Sequence, residues 1–327
     1  MLQFFIRRLL HGVFVLCAIS LIAFAIQDNL GDPLRELVGQ SVSEAEREAL
    51  RDELGLNDPF WVQYGRFVGN ALRGDLGTSY FFKEPALDVI LEKLPATIEL
   101  VLCASVLILG ISVPCGMFAA VRPRHWLSRS AMGLSILGIS VPVFLTGILL
   151  IYLFSVELNW LPSYGRGLTR PLLLGWETGL LTADGWLHLL LPSVTLASIM
   201  LPLFIRLIRA EMLEVLDTEF VRFAWAKGLR PGRIWWVHAF KNTLLPIITV
   251  GGVQLGTMVA YTILTETVFQ WPGVGLLFLE AVTRADTPLI TAYLLVVGVV
   301  FVVTNAAVDL LYGLVNPQVK LAQVGAA

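Results

Sequence analysis

Long apolar segments, each near the length that crosses a lipid bilayer, constrain this chain more than any other feature. A helix of about 20 apolar residues spans the roughly 30 Å of hydrocarbon in a bilayer. The composition agrees, because 56% of the 327 residues are hydrophobic and only 15% are charged. Backbone polar groups must be satisfied within each segment, so helices are expected. The sequence therefore predicts an all-α integral membrane protein with six transmembrane helices, near residues 9–27, 97–121, 131–156, 187–209, 243–267 and 288–312.

The distribution of Lys and Arg predicts how these helices are oriented. Thirteen of these residues fall at the N-terminus, in the 122–130 loop, in the 206–242 region and in the C-terminal tail. The short loops on the other side hold three. Positive charge in short loops marks the cytoplasmic side, so both termini and the 206–242 region are expected to be cytoplasmic. The first apolar segment is longer than a signal-peptide core and is expected to remain as a helix.

Residues 28–96 form a long loop that is expected to lie outside the membrane. It is net acidic, with 13 acids against seven Lys and Arg. Ser43 and Glu46 make a capping-box pattern at the start of a helix over 41–56. Four aromatic residues then follow at near-helical spacing, and Gly74-Asp75-Leu76-Gly77 marks a turn. Two roles remain open for the loop: a small subdomain that covers the helix bundle, or a docking surface for an extracytoplasmic partner.

Several kinds of chemistry lack their motifs in this sequence. It contains no G-x-x-x-x-G-K-[ST] phosphate loop, no HExxH, no C-x-x-C and no G-x-S-x-G. Cys17, Cys103 and Cys115 all lie in apolar segments, and no pair has metal-ligand spacing. No catalytic residue, cofactor site or metal site is therefore expected, and the chain is predicted not to be an enzyme.

The ionisable residues within the predicted spans are few, and Glu266 leads into an unusual segment. Glu99, Glu266 and Asp309 all fall near span ends, where burying a charge costs less. One interpretation makes Glu266, Trp271, Pro272 and Gly273 a helix-breaking element that shapes a gate at the outer mouth. The other, which we favour, places Glu266 at the membrane interface beside a tryptophan of the aromatic belt.

A basic, aromatic segment at 219–246 lies between two apolar spans and must therefore be in water. Five residues have the spacing of one helix face: Phe220, Phe223, Ala224, Lys227 and Gly228. Gly228 is placed to end this helix, and a second short amphipathic stretch, 233–240, returns to the membrane. The segment could rest on anionic lipid. Small residues on the face, among them Ala224, favour contact with another protein.

The pattern Arg222-x-Ala224-x-Ala226-Lys227-Gly228, followed by HAFKN (238–242) and Pro246, resembles the cytoplasmic EAA loop of ABC importer permeases. The resemblance covers nearly the whole chain. Further motifs carry it: Gly31-Asp32-Pro33, LGLNDPFWVQYGRF (54–67), GDLGTS (74–79, with Asp75 and Gly77), KLPATIEL (93–100) and TETVFQWPGVG (265–275). The long interval from Gly228 to Pro246 and the long loop after the first helix are similar to the first, B-type permease of the dipeptide/oligopeptide group.

This resemblance implies the domains and the partners. It implies an N-terminal helix (1–27), a periplasmic loop (28–96), a permease core (97–312) with its coupling loop at 210–242, and a cytoplasmic tail (313–327). It implies a bacterial inner-membrane location, a second homologous permease, two ATPase subunits that bind ATP and Mg, and a periplasmic binding protein. Lipid surrounds the chain, and no nucleic-acid partner is expected. Phe220, Val221, Arg222, Phe223, Ala224, Lys227 and Gly228 would contact an ATPase.

The alternatives differ in substrate or in class. Nickel, glutathione and other small solutes are carried by machines with the same type of permease. A self-sufficient carrier or channel would instead need midplane ionisable groups or inverted repeats, and neither is found in the sequence. A non-transporting scaffold that recruits a cytoplasmic protein through 219–246 is the third hypothesis.

Overall fold

A computed structural model describes residues 2–27, 57–172 and 175–315. The described chain is mainly helical, with one antiparallel pair of two-residue strands, β1 (Arg170–Pro171) and β2 (Glu177–Thr178). The predicted motif at 31–33, the predicted helix at 41–56 and the tail from 316 lie outside the described residues. The helices are α1 (Leu2–Gln27), α2 (Phe60–Ala71), α3 (Ala86–Val121), α4 (Trp126–Ser140), α5 (Val143–Leu150), α6 (Ala183–Leu216), α7 (Glu219–Ala226), α8 (Pro231–Phe269), α9 (Val274–Thr283) and α10 (Thr287–Val315).

Four of the described helices are long and apolar enough to cross a membrane: α3, α6, α8 and the part of α10 from Thr287 to Leu310. The predicted span 131–156 is divided between α4 and α5, which form a bent pair. The bend falls at Val141 and Pro142, where proline disfavours helical backbone in the residue before it. The remaining predicted span falls in α1, whose apolar stretch is Leu10–Ala25.

Two helical turns also depart from the ordinary α-helix. Residues Ile151–Glu157 continue α5 as a π-helix, and Ile234–Ala239 form a π-helix inside α8. The predicted second amphipathic stretch, 233–240, is therefore not a separate helix. It is the first part of α8, which runs without interruption from Pro231 to Phe269.

The chain divides into two compact units, and the first consists of residues 1–97 and 272–303. Within it, α2 packs on α1 through aromatic rings. The ring of Phe24 lies 5.4 Å from that of Phe60, 5.6 Å from Tyr64 and 5.5 Å from Phe67. The hydroxyl groups of Ser20 and Tyr64 are 2.8 Å apart. The aromatic residues, whose spacing indicated a helix, therefore lie in α2 and pack against Phe24 of α1.

The apolar core of this first unit joins α3, α9 and α10. Buried side chains from all three helices meet there, including Ile90, Leu277 and Ile290. Gly298 permits α1 to approach α10, because a Cβ at that position would lie 2.9 Å from Ile19 Cδ1. The helix α3 begins at Ala86, so the predicted loop 28–96 contains α2 and the first turns of α3.

A buried carboxylate fastens the segment between α2 and α3 to the start of α10. The turn predicted at 74–77 is present: Asp75 Oδ1 accepts a hydrogen bond from the Gly77 amide at 2.9 Å, and Gly77 has a positive φ of 89°. Asp286, which is buried, accepts hydrogen bonds from Ser79 Oγ and from the Phe81 amide. Burial raises the pKa of the nearby Tyr80 phenol above its ordinary value.

The second unit consists of residues 98–271 and 304–327. Glycines permit close helix packing within it. A Cβ at Gly116 of α3 would lie 2.8 Å from Ile208 of α6. One at Gly147 of α5 would lie 3.2 Å from the Phe269 ring of α8. Small residues at helix contacts are typical of membrane bundles.

Candidate functional site

The segment between α6 and α8 forms a short helix, α7, with a defined beginning and end. Arg222 donates hydrogen bonds to Asp217 Oδ1 at 2.8 Å and to Glu219 Oε1 at 2.7 Å. The hydrogen bond to Asp217 raises the pKa of Arg222 above its ordinary value. Gly228 has a φ of 71° and follows the C-cap residue Lys227, as the sequence predicted. Pro231 then begins α8.

The inner face of α7 anchors it to the membrane helix α8. Val221 and Ala224 are buried against Ile234, and Leu229 and Trp235 pack around them. Val221 and Ala224, which were predicted to contact an ATPase, are therefore buried within this chain. The prediction that Ala224 shares one face with the two exposed phenylalanines is wrong. Ala224 stands three residues after Val221, so it belongs equally to the stripe on which Val221 lies. The small side chain permits contact within this chain.

The outer face of α7 leaves its aromatic side chains free of this core. Phe220 is 43% exposed and Phe223 is 61% exposed. Lys227 Nζ lies 4.5 Å from the centroid of the Phe223 ring, a cation–π contact. The surface formed by Phe220, Phe223 and Lys227 is named the coupling face. Aromatic residues such as phenylalanine are enriched at the core of protein interfaces.

An open groove of about 500 Å³ lies beside α7. It is lined by Ala120, Val121, Pro123, Leu213, Leu216, Asp217, Trp225 and Trp235. These residues come from the end of α3, the end of α6, α7 and the start of α8. Trp225 and Trp235 were not predicted from the sequence to line a groove. Helical periodicity in α7 cannot indicate that the end of α3 packs nearby. The groove brings one end of three long helices together at α7.

The side chain of Glu266 is fully buried in the protein, so it does not extend to the membrane interface as the favoured interpretation predicted. Its exposed fraction is 0%, and that of Trp271 is 1%. Two residues further along α8, the missing side chain of Gly147 lets α5 pack closely on Val268 and Phe269. The backbone turns at Gln270, whose φ is 46°, and the Trp271 amide donates to the Glu266 carbonyl at 2.9 Å. Glu266 and Trp271 belong to the second unit, whereas Pro272 and Gly273 belong to the first.

A buried ion pair in the second unit joins α3 to the segment before β1. Arg166 Nη2 is 2.9 Å from Glu99 Oε2, and both side chains are nearly buried. From sequence, Glu99 is an acid near a span end and Arg166 is a basic loop residue. Nothing in their separation of 67 positions indicates that they pair.

Within the part of the chain that the structure describes, no three His, Cys, Asp or Glu side chains come together as a metal site requires. The coupling face is accessible, the other side of α7 packs on α8, and the groove beside α7 is lined by the ends of α3 and α6.

Several known proteins are similar to this chain. The dipeptide transport system permease protein DppB of Escherichia coli strain K12 is 37% identical over 338 residues, with 98% of this chain and 99% of that protein covered. The glutathione transport system permease protein GsiC of Pectobacterium atrosepticum is 35% identical over 321 residues, with 98% and 99% covered. A solved structure of the MetNI methionine ABC transporter in an inward-facing conformation has a TM-score of 0.53 at 16% identity. The match covers 70% of this chain and 96% of that one, so it shows the fold alone.

Two family patterns cover nearly all of the sequence. Residues 112–321 match the binding-protein-dependent transport system inner membrane component, and residues 1–101 match the N-terminal region of such membrane components. The chain therefore belongs to the family of inner membrane components of binding-protein-dependent transport systems.

Proposed function

We propose that the chain is the first, B-type permease subunit of an ATP-driven importer of dipeptides and oligopeptides. It forms half of the translocation pathway and binds an ATPase through the coupling face. The observation that carries this proposal is the two-sided construction of α7. Phe220 and Phe223 are exposed, while Val221 and Ala224 are fixed to Ile234 of the membrane helix α8.

The contacts of α7 explain how a cytoplasmic partner drives a membrane change. Force on the coupling face passes through Val221 and Ala224 to Ile234, and Ile234 lies in the same continuous helix as Phe269. A partner that binds one conformation better than another shifts the equilibrium by its difference in binding free energy. ATP-driven closure of the ATPase pair supplies that difference and switches the bundle from inward-facing to outward-facing.

The proposed topology follows the charge distribution. Both termini are cytoplasmic, six helices cross the bacterial inner membrane, and residues 28–96 are periplasmic. The coupling loop at 210–242 and the 122–130 loop carry most of the basic residues of the short loops. The domains are the N-terminal helix (1–27), the periplasmic loop (28–96), the permease core (97–312) and the tail (313–327). Glu266, Trp271, Pro272 and Gly273 are proposed to shape the periplasmic mouth.

The proposed partners complete the machine. A second, homologous permease forms the other half of the pathway, and two ATPase subunits bind ATP and Mg. A periplasmic binding protein delivers the substrate, and the chain itself holds no cofactor. The family description, which names a binding-protein-dependent system, supports the binding protein. The groove and the exposed coupling face support the proposal that a cytoplasmic ATPase binds here.

Peptides are the proposed substrate because the dipeptide permease of E. coli resembles this chain over almost its full length. The glutathione permease relative supports the same machine for glutathione as the second candidate. Nickel or another small solute is the third. A self-sufficient secondary carrier or channel is the candidate of a different class.

The test is uptake by vesicles that contain the purified complex. The chain, its partner permease, both ATPases and the binding protein are reconstituted, and labelled dipeptide, glutathione and Ni²⁺ are compared. Dipeptide uptake is expected only when every component and ATP are present. Uptake by this chain alone under an ion gradient would refute the proposal in favour of a carrier. ATP-dependent uptake of glutathione or Ni²⁺ but not of dipeptide would support an ATP-driven importer and refute the dipeptide substrate.

A further inference from the structure

Four consecutive residues, Gly165 to Leu168, contact three long helices in the second unit: α8 at its last residue, α3 at Glu99 and α6 at its start. The first contact is to α8. The Gly165 amide donates a hydrogen bond to the carbonyl of Phe269, the last residue of that helix, at 2.9 Å. Gly165 has a φ of 81°, a backbone conformation that glycine adopts without strain.

The second contact is to α3, through the buried ion pair. Arg166 Nη2 and Nε lie 2.9 and 3.3 Å from Glu99 Oε2. The same guanidinium donates to the Glu177 carbonyl at 2.6 Å, so it also holds strand β2. The other oxygen of the carboxylate, Glu99 Oε1, is buried and has no hydrogen-bond partner. Arg166 is therefore the cation on which this buried carboxylate depends, and its loss would be strongly unfavourable.

The third contact is to the start of α6. The Leu168 amide donates to Asp184 Oδ2 at 2.7 Å, and Thr182 Oγ1 donates to the Leu168 carbonyl at 2.6 Å. Gly167 lies so close that a Cβ there would come within 2.6 Å of His188 Nδ1. Both backbone groups of Leu168 are thus used, and no side chain fits at Gly167.

This segment lies at the end of the helices opposite to the coupling face. Phe269 and Asp184 are at the ends of α8 and α6 that are far from α7. The 34 residues of α6 correspond to about 50 Å at 1.5 Å per residue. The same three helices, α3, α6 and α8, line the groove beside α7. A movement applied at one end therefore reaches the set of helices that residues 165–168 join at the other.

We propose that residues 165–168 form a clamp that stabilises the conformation in which these three helices are held together, and that releases during transport. Arg166 is the positioning residue that sets the equilibrium between the clamped and released conformations. The inference rests on the proposed function, because release is the step that ATP-driven closure of the partner subunits would drive. Since the clamp opposes that step, weakening it favours the released conformation without any signal from the binding protein.

The first test measures ATP hydrolysis by the complete reconstituted transporter. Arg166→Gln is expected to raise hydrolysis without binding protein by at least about threefold and to lower dipeptide uptake per ATP. Because an unpaired Glu99 could prevent folding, Glu99→Gln/Arg166→Gln serves as the second variant. It removes both charges of the pair, so neither is left unpaired, and it is expected to assemble normally and still show the raised hydrolysis. Lys93→Gln, which removes an exposed ion pair with Glu92, is the control and is expected to match the wild type.

The second test follows the clamp without relying on activity. Hydrogen exchange of the Gly165 and Leu168 amides is measured in the complex, with and without a non-hydrolysable ATP analogue, and in the full chain carrying Arg166→Gln. Faster exchange in both the analogue-bound complex and the variant is expected. Wild-type hydrolysis by the double variant, or unchanged exchange at both amides, would overturn the clamp. If the wild-type complex shows no ATP-dependent uptake, the proposed function fails, and the exchange of the variant still decides whether Arg166 holds the clamp.

Discussion

Replacing Phe223 by alanine should separate ATPase binding from the stability of this chain. Phe223 is 61% exposed and lies outside the buried cluster of Val221, Ala224 and Ile234. Surface substitutions away from structural features usually change the free energy of unfolding by about 0.5 kcal/mol or less. The chain is therefore expected to fold and assemble with its partner permease as before.

The expected loss of ATPase affinity follows from the exposed area of the ring. A phenylalanine side chain buries roughly 200 Å² when it is fully covered, so the exposed part offers about 120 Å². At about 25 cal/mol per Å² of apolar surface, covering it contributes about 3 kcal/mol. One factor of ten in affinity corresponds to about 1.4 kcal/mol. Phe223→Ala should thus weaken ATPase binding on the order of 100-fold.

The assay is ATPase binding to the permease pair in nanodiscs, with thermal unfolding measured on the same samples. Trp61→Ala is the matched control, because Trp61 is 69% exposed and lies on α2. The control should bind the ATPase like the wild type. Phe223→Ala with an unchanged dissociation constant would refute the assignment of the coupling face. A large loss of thermal stability would refute the structural description of Phe223 as an exposed side chain.

Three further substitutions test separate parts of the structure. Gly228→Trp should block ATPase docking while the chain still folds. Gly228→Asn should dock, because asparagine is small and tolerates a positive φ. Equal docking by both variants would contradict the prediction that a large side chain at position 228 blocks the ATPase. Glu266→Gln should lower dipeptide uptake with assembly intact, and normal uptake would remove Glu266 from any gate. Asp286→Ala should lower the free energy of unfolding by about 3 kcal/mol, because Ser79 and the backbone amides lose a charged acceptor. Asp58→Ala, which breaks an exposed pair, should cost about 1 kcal/mol or less in the same thermal unfolding assay.

The parts of the fold that depend on local pattern were predictable from the sequence. The aromatic spacing of Phe60, Tyr64 and Phe67 predicted α2, and Gly228 marked the end of α7, because each of these features is decided within a few residues. The start of α3 at Ala86 was not predicted. Its first turns pack in a protein core and need not be as apolar as a lipid-facing span.

The errors at the candidate site concern which neighbour a side chain meets. Periodicity placed Ala224 on a face with Phe220 and Phe223, but the structure buries it against Ile234. Position near a span end suggested an interfacial Glu266, but its side chain is fully buried. In both cases the burial depends on tertiary packing, which local spacing along the chain does not report.

The sequence by itself determined that the chain is helical and membrane-embedded, that a basic segment lies between two spans, and that this segment carries a helix ending at Gly228. Hydrophobicity, charge and glycine conformation act locally, so they can be read in order along the chain. Only the tertiary structure decided which face of α7 is free for a partner and which is attached to α8. It alone paired Glu99 with Arg166, because the desolvation that makes such a pair necessary arises only when distant helices pack together.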